Sequence, residues 1–188
     1  MIKGVEVQLH TAPDVFSPDH IDKGTLAMLS QVEFSAADKV LDLGCGYGVV
    51  GIVAAKIIGA EHVVMSDIAE NAIALAKKNA VLNGVGGVSI LLSDGFRSLH
   101  DKDFTIILSN PPYHVDFSTP RHFIEKGFNR LAIGGKMYMV TKRKEWYKKK
   151  LTAIFGGVRV SEIDEYFVFC AEKRASIYAN RKKRGELK

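Results

Sequence analysis

Cysteine, tryptophan and long apolar runs are all scarce in this 188-residue chain. Its two cysteines, Cys45 and Cys170, have neither the number nor the setting of a disulfide framework or a zinc site. Cys170 lies in an apolar run and reads as core filling. No stretch approaches the roughly 18 to 20 apolar residues that a membrane-spanning helix needs, and the start Met1-Ile2-Lys3-Gly4 lacks the apolar core of a signal peptide. The expectation is a soluble, cytoplasmic protein with no membrane partner. No internal repeat or low-complexity linker marks a second domain, and 47% apolar content suffices for one core that folds alone. His, Asp and Glu nowhere take metal-ligand spacing, which argues against a metal site and magnesium-assisted chemistry.

Charge is present, but unevenly. The net charge is +5, and from Lys173 to Lys188 seven basic residues stand against one acid, Glu186. A second basic cluster (Lys142, Arg143, Lys144, Lys148, Lys149, Lys150) surrounds Glu145 and contains Trp146 and Tyr147. Cations interleaved with aromatics suit a phosphate backbone with unstacked bases. A solvated helix face followed by a frayed tail accounts for the same residues equally well.

Apolar runs of strand length alternate with longer segments of helical period. Strands are expected at 39–43, 62–66, 88–92, 104–109 and 136–141, with helices at 48–58, 68–83, 120–131 and 145–155. Two last strands, 159–163 and 166–171, are close enough to pair antiparallel. Repeated strand-helix-strand units imply an α/β fold, a doubly wound, mainly parallel sheet covered on both faces.

The first strand ends in Leu41-Asp42-Leu43-Gly44-Cys45-Gly46-Tyr47-Gly48. The spacing is G-x-G-x-G and not the G-x-G-x-x-G of dinucleotide sites, and no P-loop lysine is present. Gly44 and Gly46 let backbone pass close to a ligand, and Asp42 places a carboxylate where a ligand's ammonium group could pair with it. Asp67 closes the second strand, where an acid accepts hydrogen bonds from both ribose hydroxyls. Asp94, in Ser93-Asp94-Gly95-Phe96, follows the third and suits an adenine amino group, with Phe96 or Ile68 packing on the ring. Each acid singly is also a candidate helix N-cap. Acids at the carboxyl ends of three successive parallel strands converge on one crevice.

The fourth strand runs into Asn110-Pro111-Pro112-Tyr113. An amine attached to an aromatic ring or a carbonyl is a poor nucleophile because its lone pair is delocalised. The amide oxygen of Asn110 and the backbone oxygen of Pro111 can accept both of its N–H hydrogens and draw the nitrogen toward a tetrahedral shape. Tyr113 offers a face for stacking, and the two prolines stiffen the segment. A plain turn after a strand is the bland alternative.

Taken together, these residues resemble a class I S-adenosylmethionine-dependent methyltransferase. The resemblance implies a Rossmann-like, seven-stranded sheet with an antiparallel last strand. It makes 42–48 the methionine-binding loop, with Asp42, Gly44, Cys45, Gly46 and Gly48. Asp67 and Ile68 become the ribose and adenine contacts, joined by Asp94 and Gly95, and Asn110 to Tyr113 the amino-methylating motif. Pro13-Asp14-Val15-Phe16-Ser17, then Asp22-Lys23-Gly24-Thr25, then Asn110 to His114, are similar to the small-subunit ribosomal RNA guanine-N2 methyltransferases and their large-subunit relatives. The likeness extends from Val7 to Lys173. It implies S-adenosylmethionine as cofactor, RNA or a small ribosomal subunit as partner, and direct in-line transfer to a guanine N2 amine. The sequence then divides into a lid and substrate segment (1–35), a cofactor-binding core (36–172) and a basic tail (173–188). In that family the lid places Phe16 at the base pocket, with Lys23 or Thr25 at the methionine end; read locally, Ser17 is an N-cap with Pro18 at the first helical position. Substrate contacts are expected from Phe16, Tyr113, His114, Lys142 and Arg143.

Two departures limit the resemblance. The bacterial enzymes usually carry an additional amino-terminal half that assists RNA binding, and pairing of this chain with itself is one way to replace it. Tyr113 stands where several of them have Phe, and tyrosine also occurs in protein glutamine N5-methyltransferases and adenine-N6 nucleic-acid methyltransferases. Those two stand as alternatives, with an inactive cofactor-binding RNA scaffold as a third. Neither cysteine is placed to serve as the nucleophile of a cytosine-C5 enzyme.

Overall fold

The computed structural model describes residues 1–13, 15, 17, 20–112 and 116–179. Seven strands form one sheet: β1 (Val40–Leu43), β2 (Val63–Asp67), β3 (Ser89–Leu92), β4 (Phe104–Ser109), β5 (Leu131–Thr141), β6 (Arg159–Ile163) and β7 (Tyr166–Glu172). Their spatial order is β3-β2-β1-β4-β5-β7-β6. The first five run parallel, while β7 lies antiparallel to both β5 and β6. The antiparallel last pair agrees with the sequence expectation. The insertion of β7 between β5 and β6 has no local sequence signal, because it is decided by side-chain packing across the sheet.

The central strands β1, β2 and β4 are almost wholly buried because helices cover both faces. On one face α1 (Lys23–Ser30), α2 (Val49–Ile58) and α3 (Glu70–Leu82) bury a cluster that includes Met28, Ile52 and Met65. On the other, α4 (Ser118–Arg130) and α5 (Lys144–Phe155) bury Leu41, Leu43, Phe123 and Ile124. The chain after β1 returns on the first face and the chain after β4 on the second. The carboxyl ends of these adjacent strands therefore open into a crevice, the place where such sheets bind ligands.

Three boundaries differ from the sequence reading. The first helix starts at Lys23 and is capped by Asp22, whose Oδ2 accepts from Thr25 N at 2.8 Å. Ser17 is not its cap; Ser17 Oγ donates to His20 O at 2.6 Å, and its φ is +53°. β5 begins five residues before position 136, since Leu131 already pairs with Phe104 across a register shift. Lys173 continues the ladder beyond β7: its N–H donates to Gly135 O, and its carbonyl accepts from Gly134 N.

Candidate functional site

The turn after β1 is shaped by close packing beneath it. Gly48, the N-cap of α2, has φ +100°, and a Cβ there would stand 2.9 Å from Met65 Cε. Only glycine combines that left-handed backbone with that clearance. β2 then ties the turn down. Ser66 O accepts from both Gly44 N and Cys45 N at 2.8 and 3.0 Å, and Asp67 Oδ2 accepts from Gly46 N at 2.8 Å. Asp67 Oδ1 accepts from Ala69 N at 3.0 Å. A carboxylate has about four acceptor positions, so two backbone donors fix Asp67 while leaving it capacity for a ligand.

A cavity of about 350 Å³ opens above this turn, within the size range of small-molecule sites. Its wall includes Asp42, Gly44, Cys45, Gly46, Asp67, Ile68, Asp94, Gly95, Asn110, Pro111 and Pro112, all singled out from the sequence. Gly48 lies behind the turn and does not line it. Ile68, 67% exposed, presents an apolar face, whereas Phe96 is 5% exposed and packed in the core. Of the two residues expected to cover a ring, only Ile68 is available. Phe123, on α4, also lines the cavity; nothing in its helical spacing separated it from a core residue.

Asp42 is buried, and its Oδ2 accepts from Gly51 N at 2.8 Å. Burial pushes its carboxyl up to about 7; the Gly51 N–H opposes the rise and Asp67 adds to it. Cys45 is likewise held as a thiol well above its ordinary range by burial and by the neighbouring Asp42 and Asp67, so it is no nucleophile. Among the described residues no cluster of His, Cys, Asp and Glu could hold a metal ion. No helix among them is long and apolar enough to cross a membrane.

At the other end of the cavity, Asn110 Nδ2 donates to Asp22 Oδ2 at 2.8 Å and to Thr25 Oγ1 at 3.0 Å. Both amide hydrogens are thereby directed at α1, and Oδ1 is the acceptor of this side chain. The same Asp22 carboxylate caps α1, and Tyr166 Oη donates to its other oxygen at 3.5 Å. Gly24 makes room for this arrangement, since a Cβ there would lie 2.7 Å from the Tyr166 ring. Asp22 was not among the sequence candidates for the site, although it opens the Asp22-Lys23-Gly24-Thr25 segment that carries part of the family likeness. Asn79 was also missed. It is buried on α3, where it accepts from His10 N and donates to His10 O and Tyr47 O, pinning the amino-terminal segment to the glycine turn.

Lys142 and Arg143 lie outside the cavity wall. Lys142 pairs with Glu165 at 3.6 Å and sits over the Tyr166 ring. Arg143 lies over the Phe117 ring, which stacks on Trp146 at 4.4 Å with planes 15° apart. Lys150 pairs with Glu125 and Lys144 covers Phe167, so part of this cluster serves packing. Lys173, expected in the basic tail, is instead buried, with Nζ donating to Leu131 O at 2.6 Å. Phe16, Tyr113, His114 and residues 180–188 lie outside the described residues.

A family model described as the methyltransferase small domain matches residues 6–170. Among curated proteins, ribosomal RNA small subunit methyltransferase C of Pseudoalteromonas atlantica is 29% identical over 177 residues, covering 92% of this chain and 51% of that protein. The same-named protein of Mannheimia succiniciproducens is 35% identical over 159 residues, covering 82% and 47%. Among solved structures, the T. thermophilus 16S rRNA N2 methyltransferase in complex with AdoMet and guanosine superposes with a TM-score of 0.76 at 28% identity, covering 92% of this chain and 49% of that one. TrmN from Thermus thermophilus follows with 0.69 at 25% identity, covering 79% and 48%. The chain thus spans about half the length of the relatives it matches.

Proposed function

The chain belongs to the methyltransferase small domain family, and from that membership we propose that it transfers a methyl group from S-adenosylmethionine to the exocyclic N2 amine of a guanine in small-subunit ribosomal RNA. The named relatives support the substrate class. The observation that carries the chemistry is the anchoring of Asn110. Its amide hydrogens are held by Asp22 and Thr25, which presents an acceptor to an incoming amine.

The cavity suits the cofactor. Asp67 would take the ribose hydroxyls, Asp94 the adenine amine and Ile68 a ring face, while Asp42 stands where the methionine ammonium would come. Bound there, S-adenosylmethionine supplies an electrophilic methyl on a sulfonium. The protein's part is then positional and electrostatic. Asn110 Oδ1 and the Pro111 carbonyl accept the two amine hydrogens, building electron density on a nitrogen that is otherwise conjugated. Pro111 and Pro112 hold those acceptors at a set separation. The N–H proton lost after transfer leaves through the acceptor that holds it, toward solvent. A paired guanine would have to be turned out of its stack to reach the site. The Arg143, Phe117 and Trp146 stack at the end of β5 fits the flanking strand, with a cation for phosphate and aromatic edges for bases.

The test is transfer of labelled methyl from S-adenosylmethionine to ribosomal subunits, total RNA, duplex DNA and protein, with wild type and Asn110→Ala side by side. N2-methylguanosine recovered from small-subunit RNA with wild type alone supports the reading. Label on adenine or on a protein glutamine moves the substrate to that class, and no label with any fraction rejects the activity.

A further inference from the structure

Four buried polar side chains line the cavity: Thr25, Asp42, Ser66 and Ser93. Three of them are satisfied within the protein. Thr25 Oγ1 accepts from Asn110, Asp42 accepts from Gly51 N, and Ser93 Oγ donates to Gly95 O while accepting from Ser98 N. Ser66 is different. It is 1% exposed, and its Oγ alone among the described residues is a buried side-chain polar atom without a hydrogen-bond partner. Leaving a hydroxyl in that state costs on the order of 1–3 kcal/mol, a penalty that serine in place of alanine incurs for nothing unless a ligand relieves it.

Its position says which ligand group that would be. Side chains alternate along a strand, so Ser66 shares the face of Val64, which packs with Leu41, Leu43 and Phe123. It stands in register with Leu43 on β1 and Leu91 on β3. Its register partner Leu43 also lines the cavity, as do Gly95 and Phe123, and Asp67 follows it directly at the end of the strand. Given the reading of this cavity as an S-adenosylmethionine site, that is the nucleoside end. We propose that Ser66 is a further specificity residue, whose hydroxyl hydrogen-bonds a ring heteroatom of the cofactor's adenosine and reaches what Asp67 and Asp94 leave unread.

The experiment pairs two readouts on Ser66→Ala and Ser66→Cys, the second of near-equal volume. Thermal unfolding is followed without ligand, and the affinities of S-adenosylhomocysteine and of adenosine are measured by calorimetry. In Ser66→Ala the unfolding midpoint of the ligand-free protein does not fall, because no hydrogen bond within the protein is lost, while both affinities drop roughly five-fold, the worth of one neutral hydrogen bond. Ser66→Cys loses affinity to a similar degree. Unchanged affinity in Ser66→Ala, or full affinity in Ser66→Cys, overturns the proposal. So does a midpoint several degrees lower in both variants, which would make the hydroxyl a structural group. Failure of wild type to bind S-adenosylhomocysteine would instead overturn the reading of the cavity itself.

Discussion

Cofactor binding at this site should release a proton below pH 7, and Asp42 is the reason. Its carboxyl, 2% exposed, is pushed up to about 7 by burial, against the pull of the Gly51 N–H and with a contribution from Asp67. At pH 6 the ligand-free protein therefore carries Asp42 mostly protonated. An ammonium group brought against it favours the carboxylate and draws its pKa down by about 1–3 units. For a drop of about 2 units, binding at pH 6 expels roughly 0.8 proton, and affinity weakens about 50-fold between pH 8 and pH 5. The assay is calorimetry at pH 6 in buffers of different ionisation enthalpy, which counts protons directly. Asp42→Asn keeps an acceptor for Gly51 N but cannot titrate, so it should release none and bind with little pH dependence. The stability of the ligand-free protein moves the other way. Its folded pKa lies above the unfolded 3.8, so the native state holds the extra proton in that window. Stability is then lost as pH rises from about 4 to 7, by at most about 4 kcal/mol, and Asp42→Asn should flatten the slope. A proton count near zero in wild type, or the same count in Asp42→Asn, would refute the placement of an ammonium group beside Asp42.

Four further outcomes follow from the contacts. Asn110→Ala should lower kcat by about 10²- to 10³-fold while leaving the affinity for S-adenosylhomocysteine within about three-fold; comparable loss of both would remove it from the chemistry. Asp22→Ser keeps a capping oxygen for α1, so denaturant unfolding should shift by no more than about 0.5 kcal/mol, yet serine is too short to hold the Asn110 amide and kcat should fall at least about ten-fold. Asp67→Ala removes the partners of Gly46 N and Ala69 N together with the carboxylate we assign to the ribose, and its defect should appear chiefly as weaker cofactor binding by equilibrium titration. Arg143→Glu should weaken binding of a ribosomal RNA fragment and reduce its salt dependence by about one phosphate contact, leaving S-adenosylhomocysteine affinity unchanged. An unaltered salt slope would take the Arg143, Phe117 and Trp146 stack out of the RNA path.

The cavity's acids were legible because each stands at a strand end, where a parallel sheet leaves few roles for a carboxylate. Asp42, Asp67 and Asp94 could be named from local pattern alone, and the topology then brought them together. Phe96 shows the limit of such reading. Beside Asp94 it could face either the cavity or the core, and helix α4, far along the chain, decided the matter by covering it. Lys142 was expected at the substrate and Lys173 in a basic tail, for polyanion or for solvent, because sequence displays charge and not partners. Glu165 and the Leu131 carbonyl claim them in the fold.

Asp22 is the more instructive omission. Locally it is a helix cap, the place that sequence reading gave to Ser17, yet the oxygen that caps Thr25 N also holds Asn110, 88 residues away. One carboxylate thus fixes where α1 begins and how the Asn110 amide is turned. Helix α1 and the Asn110 amide are thereby tied to one group. Lengthening the link without removing the charge, as in Asp22→Glu, should therefore disturb both together: a slower methyl transfer at saturating cofactor, with cap strength measured by unfolding falling in step. If transfer slows in Asp22→Glu while α1 keeps its stability, the longer carboxylate still caps Thr25 N, and the lengthened side chain does not disturb both contacts together.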